Sequence, residues 1–183
     1  MIWIAIIVVL ILLIGGFIVK NYNSLVVLRN RVRDQFAQID VQLKRRFDLI
    51  PNLVETIKGY TKHESDTLKE VIEARNKYST ATTAEAKMEA SNELGGVMNR
   101  LFALAESYPD LKANKSFEDM MAQLKDTEDK IAASRQFYND TVLTYNNKVE
   151  TIPSSIIASM FGFKKEAFFE AAAAERENVE VKF

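Results

Sequence analysis

Leu43-Lys-Arg-Arg-Phe-Asp-Leu-Ile-Pro-Asn-Leu-Val-Glu-Thr-Ile57 decides the fold, because a proline stands in the middle of an otherwise helical apolar stripe. The stripe Leu43, Phe47, Ile50, Val54, Ile57 advances by three or four residues, the spacing of one helix face. It continues back through Ile39, Phe36, Val32 and Leu25 and forward to Tyr60. Proline lacks the N–H and crowds the preceding turn, which kinks or breaks a helix. A hairpin at Pro51 requires a short loop of chain-reversing residues. Phe47-Asp-Leu-Ile-Pro-Asn52 offers Asp, Pro and Asn without a glycine, and the stripe keeps its phase across it. One long kinked helix is therefore expected, with no chain reversal.

Outward from this stretch the spacing stays helical. Thr67 with Glu70 forms a capping-box pattern ahead of Leu68, Val71, Ile72, Arg75 and Tyr78, and Ser79–Thr83 is rich in residues that compete with helical bonding. Thr82 with Glu85 opens a third helix through Leu94, Met98, Leu101, Leu104 and Tyr108, stopped by Pro109. Gly95-Gly96 in its middle costs about 1 kcal/mol per glycine relative to alanine, and a close helix crossing is the expected reason. A fourth helix begins near Ser116 with the seam Phe117, Met121, Leu124, Glu128, Ile131, Arg135, Tyr138, Val142, Tyr145, Val149, and Pro153 ends it. The heptad-like spacing also fits an intermolecular coiled coil. Short connections favour packing within one chain, as an antiparallel four-helix bundle.

Upstream, residues 1–19 carry no charge and no proline. At about 1.5 Å per residue, 2–19 reaches roughly 27 Å, close to the thickness of bilayer hydrocarbon. Buried core helices rarely run so long without a polar position. A cleaved signal needs a basic n-region and a small-x-small site, and neither is present here. The expectation is an uncleaved anchor over residues 1–20, a helical body over 21–153 and an apolar, partly helical tail over 154–183. Lys20, Arg29, Arg31 and Arg33 follow the span and no Lys or Arg precedes it. By the positive-inside rule the N-terminus lies outside and the body is cytoplasmic, at the inner (plasma) membrane. The chain has no cysteine, which fits a reducing compartment but also an exported domain.

Net charge is −1, and residues 20–62 hold nine Lys/Arg against four Asp/Glu. That basic stretch is either topogenic charge on a solvated face or a contact for anionic headgroups. There is no aromatic-interleaved basic patch, so nucleic acid is not an expected partner. The tail stretch Ser154–Phe163, with Phe168-Phe169 and the terminal Val179–Phe183, docks on the body or meets a partner or the membrane surface.

Catalytic constellations are missing from the sequence. Without cysteine there is no thiolate nucleophile or ligand. With His63 as the single histidine, two-histidine zinc motifs and paired Glu-x-x-His motifs are excluded within one chain. Gly15-Gly16 and Gly95-Gly96 lack the context of a phosphate loop. No catalytic residue, cofactor or metal is assigned. The sequons at Asn114 and Asn139 carry no weight in a cytoplasmic body. Polar residues on apolar seams stand out: Arg75, Glu128 and Arg135 are a candidate buried ionic network, or else residues that fix helix register or snorkel at a rim. Lys44, Arg45, Arg46, Asp48, Pro51 and Asn52 are a candidate interaction surface. Alternatively, Asp48, Pro51 and Asn52 serve only to satisfy backbone groups freed by the proline.

The stretch from Ile39 to Tyr60 with Lys62-His-Glu64 closely resembles the signature of the LemA family. Ala105–Ala113, Arg135-Gln-Phe-Tyr-Asn139, Tyr145-Asn146 and Phe161-Gly-Phe163 are similar to its later blocks. The resemblance covers essentially the whole chain. It implies one N-terminal span and a cytoplasmic antiparallel helical bundle, and carries over no catalytic residue and no established activity. Together these readings point to a membrane-anchored helical scaffold that binds other proteins or itself. The alternative is a self-assembling membrane protein that organises the bilayer, and an enzyme is the weakest reading.

Overall fold

A computed structural model describes residues 1–60 and 65–170. All regular structure in them is helical: α1 (Ile2–Lys58), α2 (Ser65–Thr80), α3 (Ala84–Glu106), α4 (Pro109–Lys112), α5 (Lys115–Glu150) and α6 (Ser154–Met160). His63 and Val179–Phe183, both singled out above, lie outside the described residues.

α1 passes through Pro51 without interruption, so the hairpin is excluded. Pro51 has no N–H to give to the carbonyl of Phe47, four residues back. That oxygen instead accepts from Arg75 Nε on α2 at 3.3 Å. The guanidinium also lies over the Phe47 ring, 3.8 Å from its centroid. A tertiary arginine thus replaces the missing donor, and its cation–π contact holds it in place.

The helix boundaries refine the expectations. α2 starts at Ser65, so Thr67 lies inside the helix and does not cap it. The cap of α3 is Thr83, one residue later than expected, whose side chain accepts from the Ala86 amide. α3 ends at Glu106, short of Tyr108, which is extended as residues before proline usually are; Pro109 then opens α4 as its first residue. Asn114 accepts from the Phe117 amide at the start of α5, so this sequon residue has a local structural role.

The chain packs as two compact units. In the larger, which includes Gln38–Arg135, Ile50, Leu53, Val54 and Ile57 of α1 meet Leu68, Val71 and Ala74 of α2. Leu94, Val97, Met98 and Leu101 of α3, Leu111 of α4, and Phe117 and Leu124 of α5 complete this core.

The other unit, Met1–Ala37 with Gln136–Phe168, buries Leu25, Val32, Tyr138, Val142, Tyr145, Ile157, Ala158 and Phe163. Gly162 closes α6 with φ +71°, a conformation that suits glycine. This lets the Phe163 amide reach back to the Ala158 carbonyl at 2.9 Å, the long bond of a Schellman cap. The extended strip that follows is clamped by α5. Tyr145 and Tyr138 donate to the carbonyls of Lys164 and Ala167, at 2.8 and 2.9 Å. Asn146 exchanges two bonds, each 2.9 Å, with the backbone of Glu166. Within this unit residues 154–168 are therefore core and clamp.

Arg75→Ala should destabilise the full chain in detergent by about 1–2 kcal/mol, through an orphaned carbonyl and a lost cation–π contact. Pro51→Ala restores the backbone donor, so the same Arg75→Ala change should cost less in that background. Urea denaturation followed by circular dichroism reads both, and equal costs in the two backgrounds would show that Arg75 does not serve the Phe47 carbonyl.

Candidate functional site

Along α1, Leu25, Val32, Ile39, Arg46 and Leu53 are spaced by seven and all buried. Arg46 therefore occupies a core position of a heptad, with only 1% of its surface exposed. The expected seam ran through Phe47, and Arg46 was assigned to an outward surface. The structure reverses that assignment: Phe47 is half-buried under Arg75 and Arg46 points into the core. The two positions differ by one residue, or about 100° around the helix.

Three helices meet at Arg46. Its Nη1 donates to both carboxylate oxygens of Glu128 on α5, at 3.0 and 3.2 Å. Its Nη2 donates to the carbonyl and hydroxyl oxygens of Ser91 on α3, at 2.9 and 2.8 Å. Arg135, two turns after Glu128, donates to the same Ser91 hydroxyl at 3.1 Å and lies over the buried Phe169 ring, 4.2 Å from its centroid. Of the three seam residues singled out, Glu128 and Arg135 are thus joined through Ser91 and Arg46, whereas Arg75 sits apart on Phe47.

A second polar knot lies nearly two turns earlier on α1. Asp40 of α1 accepts from Lys87 of α3 at 2.8 Å to each oxygen and from the Tyr78 hydroxyl of α2 at 2.9 Å. Burial, and then this bond to Asp40, raise the Tyr78 phenol above its usual range. Asp40 and Ser91 escaped the sequence reading, since an isolated aspartate and an isolated serine on helices carry no signal beyond ordinary solvated positions.

The remaining surface candidates are dispersed. Lys44, Asp48 and Asn52 form one exposed row at four-residue spacing, with Lys44 paired to Asp48 at 3.1 Å. Arg45 reaches Asp126 on α5 at 3.1 Å. Hydrogen bonds and charge from Lys130, then Arg45, hold the Asp126 carboxyl below its ordinary range. Pairs this exposed contribute little to stability. Pro51 is half-buried within α1.

Gly95 and Gly96 border a cleft of about 300 Å³ whose walls include Phe102, Ile131, Asp129 and Arg135. No close helix crossing explains the glycines. A Cβ on Gly96 would meet nothing within 4 Å, and one on Gly95 would sit 3.7 Å from Arg46 Nη1. The glycines instead line the cleft. Glu128, the carboxylate nearest the network, is already committed to Arg46. Among the described residues no cluster of three His, Asp or Glu is placed to hold a metal ion.

This geometry defines a class: an all-helical protein in which a membrane-length apolar segment runs on into a helix that carries a buried arginine paired with a partly exposed glutamate. The sequence profile of the LemA family matches residues 35–183, and the chain belongs to the LemA family. It is 27% identical to Protein LemA of Metamycoplasma hominis, over 88% of this chain and 74% of that protein. It is 26% identical to Magnetosome protein MamQ of Magnetospirillum gryphiswaldense, over 86% of this chain and 67% of that protein. Identity is also 26% to Magnetosome protein MamQ 2 of Paramagnetospirillum magneticum, over 93% of this chain and 73% of that one.

Glu128→Gln leaves the buried Arg46 charge uncompensated and should cost about 2–3 kcal/mol, below the usual range for fully buried pairs because Glu128 is partly exposed. Adding Arg46→Met should recover part of that loss in the same denaturation assay; a larger loss would mean that the arginine packs rather than pairs. Gly96→Ala should raise stability by about 0.5–1 kcal/mol through helix propensity, and a destabilised variant would reveal packing against that position.

Proposed function

We propose that this LemA-family protein is a membrane-held helical scaffold. In this reading residues 2–19 cross the bilayer with the N-terminus outside. Residues 21–153 form an antiparallel four-helix body on the cytoplasmic face, which binds other proteins or further copies of the chain. The carrying observation is that a single uninterrupted helix, Ile2–Lys58, holds both an apolar window with no burial in the chain and a fully buried seam. A surface helix face left unburied over 18 residues needs an apolar solvent, while the seam beyond it needs only the chain itself. Positive charge downstream of the window supports the orientation. Confinement to a membrane surface raises the effective concentration of weakly binding partners, which suits a scaffold. The names of the family and of its relatives are not enzyme names.

A second reading, a protein that self-assembles to organise the bilayer, draws on the exposed apolar face of α6 and on the basic charge that follows the window.

A C-terminal reporter active only in the cytoplasm should give full signal; signal only from a reporter active outside would overturn the orientation. Light scattering of the purified full chain in detergent should give a protein mass above the 20.8 kDa monomer, or a defined complex with a co-purified partner. A strictly monomeric protein that turns over a small substrate would overturn the scaffold.

A further inference from the structure

α6 is two-faced. Ser154, Ile157 and Ala158 are buried, whereas Ile156 and Met160, four apart, are 57% and 66% exposed; Ile152 in the turn before the helix and Phe161 at its C-cap, 83% and 50% exposed, extend this apolar surface at the two ends. Seven residues make a helix of about 10 Å, far too short to cross a bilayer. Its position along α1 is fixed by aromatic contacts. Phe161 and Phe163 both pack edge-on against Tyr22, with ring centroids 4.8 and 5.7 Å apart. Arg29 lies over the Phe163 ring at 4.9 Å. Tyr22 stands about 30 Å along the helix axis from Ile2, which is the thickness of the hydrocarbon. The aromatic cluster therefore falls at the level where tyrosine and other amphipathic rings concentrate in membrane proteins, the boundary between acyl chains and headgroups.

We infer that α6 is an interfacial helix: the face formed by Ile152, Ile156, Met160 and Phe161 lies in the headgroup layer of the bilayer that residues 2–19 cross. This rests on the membrane-span reading above. The occupant is lipid for two reasons. The apolar face is continuous, through Tyr22, with the window that itself requires lipid. The same unit also carries seven Lys/Arg against four Asp/Glu, among them Lys20, Lys164 and Lys165 flanking the aromatic cluster. A short helix with an apolar face and a basic surround is the pattern of a monotopic element, with a bias toward anionic headgroups. The tail clamps on Tyr138, Tyr145 and Asn146 would then orient a membrane-facing element as well as close the core.

The single tryptophan, Trp3, lies at the far end of the window and serves as an internal control. The full chain is reconstituted in phosphatidylcholine vesicles, with and without phosphatidylglycerol, whose acyl chains are brominated at shallow or deep positions. Wild-type emission from Trp3 reports the span. The variant W3F/I156W reports α6, with W3F/M160W as a second probe should the first fail to fold by circular dichroism. The expected result for α6 is blue-shifted emission that shallow bromines reduce by about twofold, more than deep ones do, and more strongly in the anionic vesicles. Water-like, unquenched emission from both α6 probes while Trp3 is quenched would overturn the interfacial helix and leave the span standing. An unquenched Trp3 would overturn the span, and the inference with it. Blue-shifted emission that bromine does not quench, and that reverts on dilution of the protein in lipid, would mean that a second copy covers the face, and would overturn the lipid assignment.

Discussion

The guanidinium of Arg46 is the constraint around which the larger unit is arranged. A charge taken fully out of water is tolerated only with an opposite charge and with hydrogen bonds for its remaining donors. Glu128 supplies the charge, and Ser91 supplies two acceptors, one of them backbone, so that both terminal nitrogens are bonded and only Nε is left without a partner. Those partners sit on two helices other than its own, so a slip of α1, α3 or α5 by one turn would leave the buried arginine without its charge or its acceptors. Buried ion pairs seldom add net stability over well-packed apolar residues. Their best-supported role is to specify register, as a polar residue at a core heptad position does in coiled coils. On that physics Arg46 sets which residues face each other, while the leucines and isoleucines around it supply the driving force. Gly95 borders the same arrangement, since a Cβ there would stand 3.7 Å from Nη1, in ordinary van der Waals contact.

Pro51 poses the complementary problem: a partly buried acceptor without a donor from its own helix. The chain solves it with Arg75, which was first noticed as a polar intruder on the seam of α2. One arginine thus compensates for a missing N–H, and the other is compensated by a carboxylate. Each is held by groups that its own helix does not provide, Phe47 for Arg75 and Glu128 with Ser91 for Arg46, so neither set of partners is visible to local pattern reading. Periodicity could establish that α1 runs on through Pro51, because the phase of an apolar stripe is a local property. It could not establish that Arg75 serves Phe47, because that pairing joins positions 28 residues apart.

The same division explains what was legible elsewhere. The α5 seam from Phe117 to Val149 was readable, including Glu128 and Arg135, because a strict alternation of three and four leaves one face. The stops at Pro109 and Pro153 were readable from proline's missing donor. Arg46 was misread because Arg46 and Phe47 both fit a seam locally, and apolar scoring prefers phenylalanine; only the acceptors on α3 and α5 decide between them. Thr83 displaced Thr82 as the α3 cap for a similar reason, as adjacent threonines offer the same oxygen and the backbone chooses. The motif blocks near the C-terminus were legible as a resemblance, and their physics emerges only in three dimensions. Gly162 permits the reversal that buries Phe163, and Tyr145-Asn146 holds the strip that follows.

A consistent allocation of polar groups follows. In the larger unit, the buried charges and hydroxyls bond one another, so the polar oddities of the sequence are spent inside the protein. In the unit that carries the apolar window, polar side chains of α5 bind backbone of the tail, and the large apolar side chains of 152–161 are left facing outward. Among the described residues, Arg46, Glu128, Arg135 and Ser91 close on one another, while large apolar side chains of 152–161 stay exposed in the same unit as the apolar window of α1. That allocation is the physical ground for the proposed scaffold, since exposed apolar surface is what a lipid or a further chain would cover.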